Sequence, residues 1–132
     1  MTEYFEEILI SMAEQSNGSS LKFFQDFKFE TTRVFFVRTS EKGEIRGRHA
    51  HKKCKQLIYV LDGEFKISLI LRNRSIIYKE KLYLNNKALL IQPNVCVELE
   101  ALKSNSIFSC LCDRKYDESD YIRHSRDFFE EI

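Results

Sequence analysis

Alternating apolar and polar positions dominate the middle of this 132-residue chain. From residue 64 to residue 71 one set of positions is entirely apolar, and the alternate set is polar except for Ile70, which is close to the period of a β-strand with one buried face: Phe65, Ile67, Leu69 and Leu71 alternate with Glu64, Lys66, Ser68 and Ile70. Similar short runs, separated by turn residues such as Gly, Asn and Pro, continue to residue 112. Many short strands at even spacing predict an all-β sandwich or barrel.

Helical periodicity is confined to the two ends of the chain. Apolar residues in the first 14 positions are spaced as one stripe of a helix, at Tyr4, Phe5, Ile8, Leu9 and Met12. Ser125 is the N-cap of a predicted terminal helix, Ser125–Glu131. We therefore expect a single domain with a helix and linker at 1–20, a β-barrel at 21–112, and a tail with a helix at 113–132.

Two segments of the β region carry more specific expectations. Arg33–Arg38 reads RVFFVR, and its aromatic run predicts a strand that is buried on both faces. Asp62 and Gly63 follow the run QLIYVL and predict a hairpin, because glycine accepts a positive φ at little cost.

The strongest chemical signal is the pair His49 and His51, separated by Ala50 in a strand-like segment that continues into QLIYVL. Side chains alternate along a strand, so both imidazoles point to the same side. Packing alone explains such a pair poorly. We therefore expect a functional site on this face.

Composition narrows the classes of function. The formal net charge is +1, which gives no general attraction to nucleic acid or to a membrane surface. The four cysteines form no CxxC pair, and no secretory signal is visible, so we expect reduced, buried thiols in a cytoplasmic protein. No segment approaches the length of a membrane-spanning helix. A local basic cluster surrounds the histidines: its arginines suit a diphosphate, and its lysines suit a solvated strand edge.

The spacing around the histidines resembles the first motif of the cupin family. Five residues separate Gly43 from His49, four separate His51 from Gln56, and six separate Gln56 from Gly63, with Gln56 where cupins usually have an acid. The segments RGRHAHKK and YDESDYIRHSRDFFEE make the chain similar to the nucleotide-sugar 3,4-ketoisomerases. The resemblance implies a single-domain cupin, an antiparallel β-barrel or jelly roll with short terminal helices.

Three interpretations of the histidines compete. A metal site is disfavoured, because Gln56 replaces the acidic ligand and Val97 lies near the position of the last cupin histidine. A structural role, including that of a catalytically silent sugar-binding cupin, is the second. The third is metal-free acid–base catalysis, since an imidazole can both take and give a proton near neutral pH.

The resemblance implies the third interpretation, with a dTDP-linked 4-keto-6-deoxyhexose as substrate and no cofactor. His51 would abstract the C3 proton of dTDP-4-keto-6-deoxyglucose, and His49 would orient the sugar or shuttle protons. The residues expected to bind substrate are Arg33, Arg46, Arg48, Gln56, Asn94, Tyr121 and Arg123. The product would be a dTDP-3-keto-6-deoxyhexose for 3-amino-deoxysugar synthesis. A related nucleotide-sugar epimerase remains the alternative within enzyme chemistry.

The resemblance also implies a homodimer, in which the N-terminal strands can be exchanged. This chain departs from the family where Cys96 and Val97 replace a Trp followed by His or Arg. It also lacks an N-terminal arginine near residues 16–19. These departures leave the configuration of the product at C4 open.

Overall fold

The computed structural model describes residues 3–25, 27–83, 87–123 and 128–129. Within these ranges the chain forms twelve β-strands and one turn of 3₁₀-helix, η1 (Glu118–Asp120). The strands are β1 (Phe5–Leu9), β2 (Ser11–Glu14), β3 (Ser20–Phe23), β4 (Arg33–Arg38), β5 (Ile45–His51), β6 (Gln56–Asp62), β7 (Glu64–Ile70), β8 (Ile76–Tyr83), β9 (Lys87–Ile91), β10 (Cys96–Ala101), β11 (Ile107–Cys112) and β12 (Tyr121–Arg123).

Ten of the described strands form two antiparallel five-stranded sheets that face each other as a jelly roll. The first sheet has the order β1-β9-β6-β11-β4, the second has the order β12-β5-β10-β7-β8, and β2 pairs with β3 separately. The sheets do not close into one continuous barrel. The expected all-β, cupin-type jelly roll is confirmed, whereas the division at residues 20 and 112 stays a prediction.

The core lies between the two sheets and follows the period of two. On β7, Phe65, Ile67 and Leu69 are fully buried, as their alternation predicts. Phe65 meets Phe108 of the opposite sheet edge to face, with ring centroids 5.2 Å apart. Contacts of this kind fix the separation of the two sheets.

The predicted N-terminal helix is wrong. Residues 5–9 form β1 at the edge of the first sheet, paired with β9 from Phe5 opposite Ile91 to Leu9 opposite Lys87. Glu7 accepts a hydrogen bond from the Tyr78 hydroxyl at 2.9 Å and pairs with Lys87. Long-range pairing therefore overrides the local helical stripe. The predicted helix Ser125–Glu131 lies largely outside the described residues.

Three strand-level predictions are also corrected. The histidine strand ends at His51, and β6 begins at Gln56 in the other sheet. Gly63 has the expected positive φ of 77°, but β6 and β7 belong to different sheets, so the turn is a corner between layers rather than a hairpin. Strand β4 is half-buried on one face and exposed on the other: it is an edge strand, and Phe36 is 64% exposed.

Candidate active site

A β-bulge in β5 determines which side chains reach the interior. Val97 of β10 pairs with His49 and Glu98 pairs with Gly47, so Arg48 is the extra residue. Gly47 has a φ of 88°, and a Cβ there would lie 2.5 Å from the Val97 carbonyl oxygen. The bulge therefore requires glycine at this position.

The bulge separates the two candidate arginines. Arg46 pairs with Leu99, whose side chain is in the core, and Arg46 lines the same cavity as His49. Arg48 turns away and donates to the Glu98 carboxylate at 3.1 Å. Without the bulge, strict alternation would place Arg46 on the face opposite to His49.

Both histidines lie on one side of β5, as predicted, and pack against Tyr121 of the neighbouring β12. The imidazole centroids are 5.2 Å apart, and they lie 5.0 Å (His49) and 4.3 Å (His51) from the Tyr121 ring. Burial, together with the neighbouring His51, lowers the pKa of His49 from 6.5 to about 4. His49 is therefore neutral at pH 7, with its Nδ1 3.2 Å from the Gly47 carbonyl oxygen.

His51 is oriented by a carboxylate that the sequence analysis did not assign. Its Nδ1 lies 3.0 Å from Oδ2 of Asp120, and the His51 side chain is only 3% exposed. Burial lowers the pKa of His51, although the Asp120 carboxylate acts in the opposite direction. Because an ionised carboxylate only accepts, Nδ1 carries the hydrogen and Nε2 keeps its lone pair. Nε2 is buried and has no partner among the described residues.

Asp120 is itself held by the connection that follows the histidines. Its carboxylate accepts from the backbone N–H groups of Lys53 at 2.8 Å and Cys54 at 3.3 Å. Burial alone would raise the pKa of Asp120, but the hydrogen bonds from His51 and these two amides outweigh it and lower the pKa. Asp117 caps η1 by accepting from the Ser119 N–H, which sets the short turn that delivers Asp120. The segment DESD before Tyr121 was the available signal.

Tyr121 is fixed by two arginines from the predicted set. Arg33 donates to the Tyr121 hydroxyl and to the Cys112 sulfur, both at 3.3 Å. Arg123 lies 4.3 Å above the Tyr121 ring and binds Glu118 through two hydrogen bonds of 2.9 and 2.8 Å. Both guanidinium groups therefore have protein partners.

The two remaining predicted residues, Asn94 and Gln56, take different positions relative to the histidines. Asn94 is an exposed turn residue with a φ of 63°, and its N–H donates to the backbone carbonyl of His51 at 2.7 Å. Gln56 is 4% exposed and lines a cavity of about 70 Å³ together with His49. The apolar walls of this cavity come from both sheets and include Val37, Ile58, Val97, Leu99, Phe108 and Cys110.

A second cavity of about 680 Å³ is open to solvent, and Asp120 is one of the residues that line it. It is lined by basic side chains, among them Lys52, Lys53 and Arg114. Lys52 and Lys53 are exposed, which agrees with their interpretation as solvated residues.

The described donors do not fit the metal set of a cupin. Val97 pairs with His49 and offers no ligand atom, and Gln56 offers a neutral amide. His51, Cys54 and Asp120 do bring donor atoms within 4.8 Å of one another. In this structure, however, the Asp120 oxygens already accept three hydrogen bonds. All four cysteines are free and buried, as predicted.

The protein is thus a cupin-type jelly roll with two neighbouring imidazoles inside, one of which is oriented by a carboxylate, and such an arrangement is suited to acid–base chemistry. The family model FdtA (WxcM-like, C-terminal) matches residues 4–132. The TDP-4-oxo-6-deoxy-alpha-D-glucose-3,4-oxoisomerase of Aneurinibacillus thermoaerophilus is 32% identical over 104 residues, which are 79% of this chain and 73% of the relative. The chain therefore belongs to the FdtA family, and its resemblance to the 3,4-ketoisomerases is confirmed.

Solved structures agree with this assignment. The sugar 3,4-ketoisomerase QdtA of Thermoanaerobacterium thermosaccharolyticum in complex with TDP is 26% identical, with a TM-score of 0.81 over 97% of this chain and 93% of that one. The H51N mutant of the same enzyme in complex with TDP-4-keto-6-deoxyglucose is 25% identical, with a TM-score of 0.80 over 94% and 90% of the two chains. The described part of this chain contains no helix with the length and hydrophobicity needed to cross a bilayer.

Proposed function

We propose that this protein converts dTDP-4-keto-6-deoxyglucose to a dTDP-3-keto-6-deoxyhexose by metal-free acid–base catalysis, which would supply the keto sugar for 3-amino-deoxysugar synthesis. The observation that carries the proposal is the buried His51–Asp120 pair, which leaves one imidazole nitrogen free beside His49. The curated relative and the TDP-bound ketoisomerases support the choice of substrate.

In this proposal His51 Nε2 removes the proton from C3 of the sugar. The imidazolium that forms is stabilised by Asp120, whose carboxylate lies 3.0 Å from Nδ1. His49, which is neutral at pH 7, then moves protons among O3, O4 and C4 of the enediol or enediolate. Arg46, at the cavity that His49 lines, is the best-placed of the candidate arginines for the diphosphate.

Proton NMR of the protein with dTDP-4-keto-6-deoxyglucose in D₂O tests the proposal. We expect the ketone to migrate from C4 to C3 and His51→Asn to abolish the migration while retaining binding. Inversion at a ring carbon without ketone migration would instead identify an epimerase. Line broadening without any conversion would identify a silent nucleotide-sugar-binding protein.

We further propose that the protein is a cytoplasmic homodimer. The outer face of the edge strand β4 supports the dimer, since Val34 and Phe36 are 46% and 64% exposed. Sedimentation should give the mass of two chains for the wild type and of one chain for Phe36→Asp. Ile76→Asp, at a residue of similar exposure (57%) on β8, is the matched control and should remain dimeric. A monomeric wild type would contradict the proposal.

A further inference from the structure

Gln56 is the buried polar side chain that the acid–base scheme leaves without a task. It is 4% exposed, and its side-chain amide has no hydrogen-bond partner among the residues the structure describes, although the amide is not sealed off and Gln56 lines the cavity. An amide that lines a cavity and has no protein partner keeps its donors for a ligand held there. We therefore treat Gln56 as a binding group.

The location of Gln56 indicates which ligand atom it would meet. Gln56 begins β6 in the first sheet, whereas His49 lies on β5 in the second, and both line the same cavity. Ile58, two residues further along β6, lines it as well, so this face of β6 points inward. A sugar bound at this cavity would therefore have His49 on one side and the Gln56 amide on the other.

We propose that the side-chain amide of Gln56 donates a hydrogen bond to the oxygen on C4 and stabilises the enediolate, as a catalytic residue of the proposed ketoisomerase reaction. The inference rests on the proposed function. When the C3 proton leaves, the C–H electron pair becomes the C3–C4 double bond and the carbonyl electron pair moves onto O4. A donor at O4 stabilises this charge in the transition state. The O3 proton then passes to O4, and C4 takes a proton from the His51 imidazolium as the C3–O3 carbonyl forms, which completes the isomerisation.

A neutral donor also suits the electrostatics of the cavity. A carboxylate at this position would repel the enediolate and would favour protonated histidines. An arginine would oppose the protonation of His51 that proton abstraction requires. Arg46 lines the same cavity, but its side chain is half exposed and lies 3.8 Å from the Glu44 carboxylate. Of the two donors Gln56 and Arg46, Gln56 is therefore the buried one.

Gln56→Met tests the inference, because methionine has nearly the same shape and no N–H. We expect kcat to fall roughly 10²- to 10³-fold, the loss typical of one oxyanion donor, with KM within about threefold. Exchange of the C3 proton with D₂O should slow by the same factor as turnover, since both pass through the enediolate. The melting temperature should stay at or above that of the wild type, because no protein hydrogen bond is lost.

Gln92→Met is the matched control, since Gln92 is half-buried outside this cavity and its variant should keep the wild-type kcat. Three results would overturn the inference: a kcat for Gln56→Met within threefold of the wild type, unchanged C3 exchange despite slow turnover, or a lower melting temperature with a raised KM. Wild-type protein in the same assay separates the two proposals. If it shows no ketone migration, the proposed function fails first, whereas normal migration with an active Gln56→Met variant rejects only the role of Gln56.

Discussion

Replacing Asp120 by asparagine should remove the orientation of His51 while preserving the shape of the site. Asp120 accepts from His51 Nδ1 at 3.0 Å and from the Lys53 N–H at 2.8 Å. In the variant the amide oxygen can keep the Lys53 bond. The amide NH₂ then faces His51, so Nδ1 must accept and Nε2 must carry the hydrogen. The nitrogen proposed to take the C3 proton is then already protonated.

The expected loss of kcat follows from the changed tautomer of His51, and the expected loss of stability follows from the lost acceptor of the Cys54 N–H. Exchanging Asp for Asn beside the histidine of a serine-protease triad lowers kcat about 10⁴-fold for this reason. We expect at least about a 10²-fold loss here, because His49 offers a second imidazole to the same substrate. In the variant the Cys54 N–H faces an NH₂ group and has no acceptor. The free energy of unfolding of the protein should therefore fall by about 1–3 kcal/mol.

Ketone migration followed by proton NMR measures the effect, and thermal unfolding measures the stability. Asp117→Asn is the matched control, because it makes the same change in an exposed side chain three residues away, and the Asn oxygen can still accept the capping bond from the Ser119 N–H. Its kcat should stay within about threefold of the wild type. An Asp120→Asn variant with near-wild-type kcat, or one no slower than Asp117→Asn, would refute the assignment of Asp120 as the orienting group.

Other perturbations address the rest of the site. Burial and the neighbouring His51 depress the pKa of His49 from 6.5 to about 4. As the pH falls, His49 therefore gains its proton in the unfolded chain before it does so in the folded protein. The free energy of unfolding should drop by at most about 3 kcal/mol between pH 6.5 and pH 4. Denaturant titrations should show this drop in the wild type and a smaller one in His49→Asn. Gly47→Ala should lower both stability and kcat, because its Cβ would clash with a facing carbonyl. Gly43→Ala, with a similar φ of 93° but open space, should cost only backbone strain. Arg46→Ala should raise KM roughly 10-fold or more, the loss of one charge-assisted hydrogen bond, whereas Arg48→Ala should change it little.

The sequence predicts the strands of the core well because their apolar residues recur at every second position, as in β7. The prediction for β1 is wrong because the local spacing of five apolar residues carries no information about β9. Strand β9 offers a free edge, and residues 5–9 pair with it. The corner at Gly63 was misjudged for a related reason. A turn signal reports a reversal of the chain but not the sheet to which the next strand is added.

Part of the site is predictable from local sequence, and part of it depends on long-range pairing. His49, His51 and Gln56 stand in a recognisable spacing, and the resemblance named them. Asp120 is 69 residues from His51, and the pairing of β12 with β5 brings the two together. The bulge at Arg48 depends on the register against Val97 and Glu98, which local sequence does not encode. Long-range register therefore decides which of two similar arginines reaches the cavity.

The position of Asp120 late in the chain has a consequence for biosynthesis. A ribosome that has delivered residues up to Cys112 has made nine of the ten strands that build the two described sheets, with both histidines on β5. The orienting carboxylate is still missing, because η1 and β12 follow. A nascent polypeptide at that stage can be compact and yet chemically silent. Activity should begin abruptly during translation, once the segment around residue 120 leaves the exit tunnel and adds to the edge of the second sheet.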